Sequence, residues 1–169
     1  LTRQLGKFVL MDKPVFYTWK ISPYLNVFPD ELPDFNSPAL DGIELTLAGG
    51  EYRDTVFMVT ANADADRQIQ LSLESENPQI TQSSRFFEVL YLQNRLGEFT
   101  GDAHVLLEAS LSVPAGQSRQ VRLGFDNRGA MLPPGSHPFE LTIRDIDTQI
   151  EQRIPGTLHV LDIQLPDHS

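Results

Sequence analysis

From Phe8 onward the apolar side chains come in short runs, many of them alternating with polar ones, and Pro, Gly, Asn or Asp interrupts them every ten residues or so. Alternation with period 2 marks a strand with one face inward and the other in water, whereas a helix repeats its apolar positions every three to four residues. Gln68-Ile69-Gln70-Leu71-Ser72-Leu73, Arg119-Gln120-Val121-Arg122-Leu123-Gly124-Phe125, Phe139-Glu140-Leu141-Thr142-Ile143 and Thr157-Leu158-His159-Val160-Leu161-Asp162-Ile163 all follow the strand rule. The pattern predicts strands at 8–10, 15–21, 43–47, 55–61, 68–73, 86–93, 105–113, 118–125, 138–144 and 152–161. Nine or ten short strands without helices between them predict an all-β fold, an antiparallel β-sandwich.

Turn chemistry supports these divisions. Pro114-Ala115-Gly116-Gln117 predicts a short hairpin, because proline presets φ at the first corner and glycine accepts the positive φ after it. Pro133-Pro134-Gly135 breaks the chain before another strand. Residues 76–84 and 94–102 read as longer connections, the second as a hairpin tip between Gly97 and Gly101. Residues 22–41 differ, with Pro23, Pro29, Pro33 and Pro38 and the aromatics Tyr24, Phe28 and Phe35. They predict an irregular proline-rich arm. The expected organisation is residues 1–41 as N-terminal strand and arm packed on the sandwich, 42–165 as the sandwich, and 166–169 as a tail.

The run Val15-Phe16-Tyr17-Thr18-Trp19-Lys20-Ile21 puts Val15, Tyr17, Trp19 and Ile21 on one face and Phe16, Thr18 and Lys20 on the other. A face shared with Val15 and Ile21 reads first as core. It also reads as an interface with a neighbouring domain, or as a sugar-stacking platform in which Tyr17, Trp19 and Tyr24 bind the ligand.

Two stretches bear on cofactors. Asn62, Asp64 and Asp66 alternate as the opening ligands of a calcium loop do, but Arg67 stands where such a loop needs glycine and Leu73 where it needs glutamate. They are the residues that would hold a structural calcium. Ordinary turn-forming Asn and Asp account for them more simply, and no other cofactor is expected. The histidines, His104, His137, His159 and His168, have no metal-binding spacing. No Gly-x-Ser-x-Gly elbow is present, and Ser136 beside His137 lacks the rest of a triad. Glu44, Glu74, Glu88, Glu108 and Glu140 fall on strands, where a solvated sheet face is the simpler reading than a hydrolytic pair.

With 13 Lys+Arg against 23 Asp+Glu, the net charge is −10. That excess argues against nucleic acid or anionic lipid as the main partner. No cysteine is present, so disulfides, cysteine-ligated metals and a cysteine nucleophile are excluded. No apolar run approaches the roughly 18–20 residues of a membrane helix, so no membrane insertion is expected. The chain opens Leu1-Thr2-Arg3, which predicts either a removed signal or a segment of a longer protein.

Four stretches carry a likeness. Gly49-Gly50-Glu51-Tyr52-Arg53-Asp54 followed by the apolar run to Asn62, the alternating strand from Arg67 to Leu73, Leu111-Ser112-Val113-Pro114-Ala115-Gly116-Gln117-Ser118, and Leu132-Pro133-Pro134-Gly135 leading to Phe139-Glu140-Leu141-Thr142-Ile143 together resemble the bacterial immunoglobulin-like modules of NEW3 type attached to glycoside hydrolases. The likeness covers roughly residues 43–145. It departs from the family at His137-Pro138-Phe139, where a tyrosine usually follows the Pro-Gly. The arm around Trp19, Tyr24 and Pro29 is similar to lead-in segments before β-sandwiches in multidomain glycoside hydrolases. The resemblance implies a non-catalytic accessory module of an exported bacterial protein, extracellular or periplasmic, whose partners are neighbouring domains of the same polypeptide and polysaccharide. The alternatives are a carbohydrate-binding module and an adhesion or protein-interaction module.

Overall fold

A computed structural model describes residues 14–165 except 26, 35–36, 94, 98, 109 and 129–131, together with all their side chains but those of Phe99 and Asp102. Ten strands and one short helix follow in the order β1 (Phe16–Lys20), β2 (Ile43–Gly49), β3 (Tyr52–Ala61), β4 (Arg67–Glu74), α1 (Pro78–Ser83), β5 (Ser84–Gln93), β6 (Phe99–Leu106), β7 (Leu111–Val113), β8 (Ser118–Asp126), β9 (Gly135–Asp145) and β10 (Glu151–Gln164). They form two five-stranded sheets, β1-β3-β8-β5-β6 and β2-β10-β9-β4-β7. The predicted immunoglobulin-like β-sandwich is therefore the fold. Among the described residues its pairings are antiparallel with one exception: β2 runs parallel to β10, Leu45 beside Leu158. The expected strand at 8–10 and the tail at 166–169 lie outside the described residues.

Alternation builds the core. Phe57, Val59, Val121, Leu123 and Phe125 of the first sheet meet Ile69, Leu141, Ile143, Ile154 and Leu158 of the second in one buried cluster. The Phe125 and Phe139 rings touch across it at 5.3 Å between centroids. Gly156 on β10 leaves the space the Phe139 ring fills, since a Cβ there would collide with it.

Three local expectations need correction. The run 105–113 is not one strand. It leaves the first sheet after Leu106 and re-forms as β7 in the second. The turn at Pro114–Gln117 forms as expected, with Gln117 N donating to the Pro114 carbonyl at 3.0 Å and Gly116 at φ 67°. The strands it joins belong to different sheets, however, so it is a crossing between layers and not a hairpin. The connection at 76–84 contains α1, where the Asn77 side chain caps Gln79 N at 3.0 Å, Pro78 opens the first turn and Ile80 is fully buried.

The arm covers the part of the outer face of the first sheet formed by Trp19, Met58, Ser118 and Tyr91. Beneath it, the predicted β1 core face is reversed. Phe16 and Thr18 point between the sheets, and Thr18 Oγ1 donates to Gln152 Oε1 at 2.7 Å across the sandwich. Trp19 is buried on the opposite side, in a second cluster with Met58 and the arm residue Val27, flanked by Tyr17 and Ile21. Both faces of β1 are covered, so alternation could not tell which one looks inward.

Candidate functional site

The outward-facing residues of the two sheets differ in kind. On the second sheet, Gln70, Ser72, Glu74, Glu140, Thr142, Arg144, Glu151 and Arg153 line a shallow depression of about 200 Å³ across β4, β9 and β10. That is smaller than the roughly 300–1,000 Å³ of typical small-molecule sites. Cross-strand register explains its make-up: Glu151 stands opposite Arg144, Arg153 opposite Thr142, and Glu74 opposite Glu140. The charges form a ladder. Arg144 donates to Glu151 at 2.6 Å, Arg153 to the same carboxylate at 2.7 Å, and Arg153 approaches Glu140 at 3.5 Å. The Arg144 guanidinium, then Arg153, holds the Glu151 carboxyl below the usual range. Glu140 and Glu151 are thus engaged by arginine, and the open saddle is an ionic surface rather than an enclosed cleft.

On the first sheet the outer face is closed by the arm through neutral hydrogen bonds. Trp19 Nε1 donates to Thr60 Oγ1 at 2.9 Å, Thr60 and Ser118 hydroxyls lie 2.7 Å apart, and Ser118 Oγ donates to the Glu31 carbonyl at 2.8 Å. A carbonyl only accepts, so the direction of the chain is fixed: indole to Thr60, Thr60 to Ser118, Ser118 to the arm. Tyr91 Oη donates to the Val27 carbonyl in a short bond and lies 2.6 Å from the Gln120 side-chain amide. With that amide turned so that its NH₂ donates, the single tyrosine proton is left for the arm. Burial pushes the Tyr91 phenol up, against the Val27 hydrogen bond.

The structure brings Tyr17 and Trp19 together beneath the arm and leaves Tyr24 apart on its surface, 93% exposed. The three form no shared platform.

The residues that would hold calcium are engaged by the chain itself. Asn62 Oδ1 accepts from Ala63 N, Asp64 Oδ2 takes Arg67 Nη2 at 2.6 Å, and Asp66 Oδ1 takes Ala115 N at 2.8 Å. The Arg67 side chain holds the Asp64 carboxyl below its usual range. This guanidinium, 7% exposed, also approaches the buried Asp145 at 3.5 Å, so a cation already stands in the acidic loops. The donor set does not fit calcium, and among the described residues no three His, Asp or Glu side chains stand together as metal ligands.

One contact escaped the sequence reading. Ser136 Oγ pairs with His159 Nδ1 at 2.9 Å, while its neighbour His137 points Nε2 at the Pro133 carbonyl. Strand register gives the reason, since Ser136 and His159 are direct partners on β9 and β10. The pair is exposed on the sheet face.

No protein-family model and no curated protein matches the chain. Among solved structures, a family 123 glycoside hydrolase from Clostridium perfringens is similar at a TM-score of 0.61 and 13% identity, over 76% of this chain and 24% of the enzyme. This chain thus spans about a quarter of that enzyme's length. Two chaperones are also similar, CupB2 of Pseudomonas aeruginosa (TM-score 0.46, 13% identity, 73% of this chain and 56% of that one) and the periplasmic chaperone SfaE (0.44, 16%, 76% and 59%). What the chain shares with the hydrolase at this identity is the β-sandwich.

Proposed function

We propose that this chain is a non-catalytic β-sandwich module of a larger exported bacterial protein, where it supports or spaces a carbohydrate-active catalytic domain. The observation that carries the reading is the ladder Glu140–Arg153–Glu151–Arg144. A glycoside hydrolase needs one carboxyl free to give a proton and another free to attack or to activate water, across a cleft that holds the sugar. Here the depression is shallow and two of its three carboxylates, Glu140 and Glu151, are tied to guanidinium groups, an arrangement suited to lying against another polar surface. Similarity to about a quarter of a glycoside hydrolase supports the association with such enzymes. Buried Trp19 argues for a packing role over a sugar platform.

The test is hydrolysis by the purified chain of a panel of aryl glycosides, oligosaccharides and aryl esters. The expected result is no turnover above buffer. Turnover that survives repurification and disappears in Glu74→Gln or Glu140→Gln overturns the proposal.

A further inference from the structure

Strand β5 pairs with β8 only from Ser84–Phe125 to Glu88–Val121. Beyond Glu88 it continues for five residues paired with β6 alone. The first residues of β8, Ser118 to Gln120, therefore keep β3 on one side and lose a strand neighbour on the other. A sheet that splits in this way exposes backbone donors that must find acceptors.

The arm supplies them. Ser118 N donates to the Pro29 carbonyl at 2.8 Å, Ser118 Oγ to the Glu31 carbonyl, and Tyr91 on the other lip of the split to the Val27 carbonyl. The bound segment is a proline turn in which Glu31 N closes on the Phe28 carbonyl at 3.0 Å with Pro29-Asp30 at the corner. Val27, 6% exposed, fills a pocket between Trp19 and Met58, and the Phe28 ring meets Tyr91 at 5.5 Å. These three contacts all run from sheet donor to arm carbonyl. Carbonyls at alternate residues are read, and none of these three contacts asks for a backbone N–H of the arm, which is the condition under which proline is admitted.

We propose that the split between β8 and β5 is a recognition groove for short proline-turn peptides of a partner protein, and that residues 27–34 of the chain occupy it as an intramolecular ligand. The peptide class follows from the contacts: a β-branched aliphatic anchor, an aromatic residue, then Pro-Asp at the corner, with acidic residues left in solvent. Asp30, Glu31 and Asp34 are exposed. A tethered ligand competes at an effective concentration in the millimolar range, so a free peptide meets an occupied groove until the strap lifts. The inference goes beyond the accessory role and does not depend on it.

The experiment uses the full chain, a Val27→Asp variant that places a charge in the Trp19–Met58 pocket, and a labelled peptide of the sequence of residues 27–34. Trp19 is the single tryptophan, so its emission reports whether the pocket is covered. In Val27→Asp the emission is expected to shift to the red while far-UV circular dichroism stays that of a sheet. The peptide is expected to bind this variant at least ten-fold more tightly than wild type and to return the emission to the blue. Adding Tyr91→Phe is expected to weaken that binding about five-fold through loss of one hydrogen bond. Should Val27→Asp not fold, Val27→Ala takes its place with the same order of affinities. Equal peptide affinity for wild type and strap variant, binding indifferent to Tyr91→Phe, or a variant whose Trp19 emission stays blue overturns the proposal.

Discussion

The two sheets have five strands each and treat their outer faces in opposite ways. The first sheet is roofed by the arm, and the groups meeting there, Trp19, Thr60, Ser118, Gln120 and Tyr91, are neutral donors and acceptors. The second sheet is open, and its face carries paired arginines and glutamates. Water explains the contrast. A neutral group taken out of water costs little once hydrogen-bonded, whereas a charge costs far more unless its partner is well placed. The arginine–glutamate ladder therefore sits where solvent screens it, the surface under the arm relies on hydroxyls, an amide and an indole, and the buried Asp145 keeps a guanidinium partner in Arg67. The same alternation of inward apolar and outward polar residues produced both faces. The arm made the difference.

The sharpest way to break this comparison is to place the same residue on each face. Met58→Lys buries an ammonium beneath the arm and is expected to cost about 3 kcal/mol or more in urea unfolding. Thr142→Lys on the open face is expected to stay within about 0.5 kcal/mol of wild type. Equal costs would mean that the arm does not exclude water. A smaller effect comes from Trp19→Phe, which keeps an aromatic ring and deletes the donor to Thr60. A destabilisation of about 1–3 kcal/mol is expected from the same denaturation curves. On the open side, Arg153→Ala removes the centre of the ion ladder. Because Glu151 keeps Arg144 and both groups lie in water, the unfolding midpoint is expected not to move measurably at physiological salt.

Titration sharpens the contrast further. Glu151 is held low by hydrogen bonds from Arg144 and Arg153, so what it adds to stability is present above the ordinary glutamate range and is lost as pH falls through its depressed value. Glu88, half-buried on β5, is pushed up by burial more than Arg119 pulls it down. Its protonated form is the one the fold favours, so that contribution is present at low pH and lost as pH rises through the raised value. Carbon-detected NMR titration is expected to place the Glu151 inflection below, and the Glu88 inflection above, that of an exposed glutamate. The reverse order would contradict both assignments.

Much of the architecture was legible from period 2 alone. Runs such as 68–73 and 138–144 fall within β4 and β9, since a half-buried strand has no other way to write itself. The break inside 105–113 was hidden because Leu106 and Leu107 continue the apolar run where the chain changes sheets. α1 was within reach, because Asn77-Pro78 is a helix start. In the acidic loop, Arg67 already stood in a position unsuited to a calcium ligand set. The docking of the arm left no local mark: Val27 meets Tyr91 across 64 residues and Glu31 meets Ser118 across 87. Proline spacing predicted an irregular arm and could not say which surface it covers.

The roof over Trp19 is the feature on which the contrast between the two faces turns, and acrylamide quenching of its fluorescence in the intact chain tests it most directly. Emission at short wavelength with quenching several-fold weaker than in the urea-unfolded chain is the expected result. Long-wavelength emission, quenched as readily in the folded as in the unfolded chain, would contradict it.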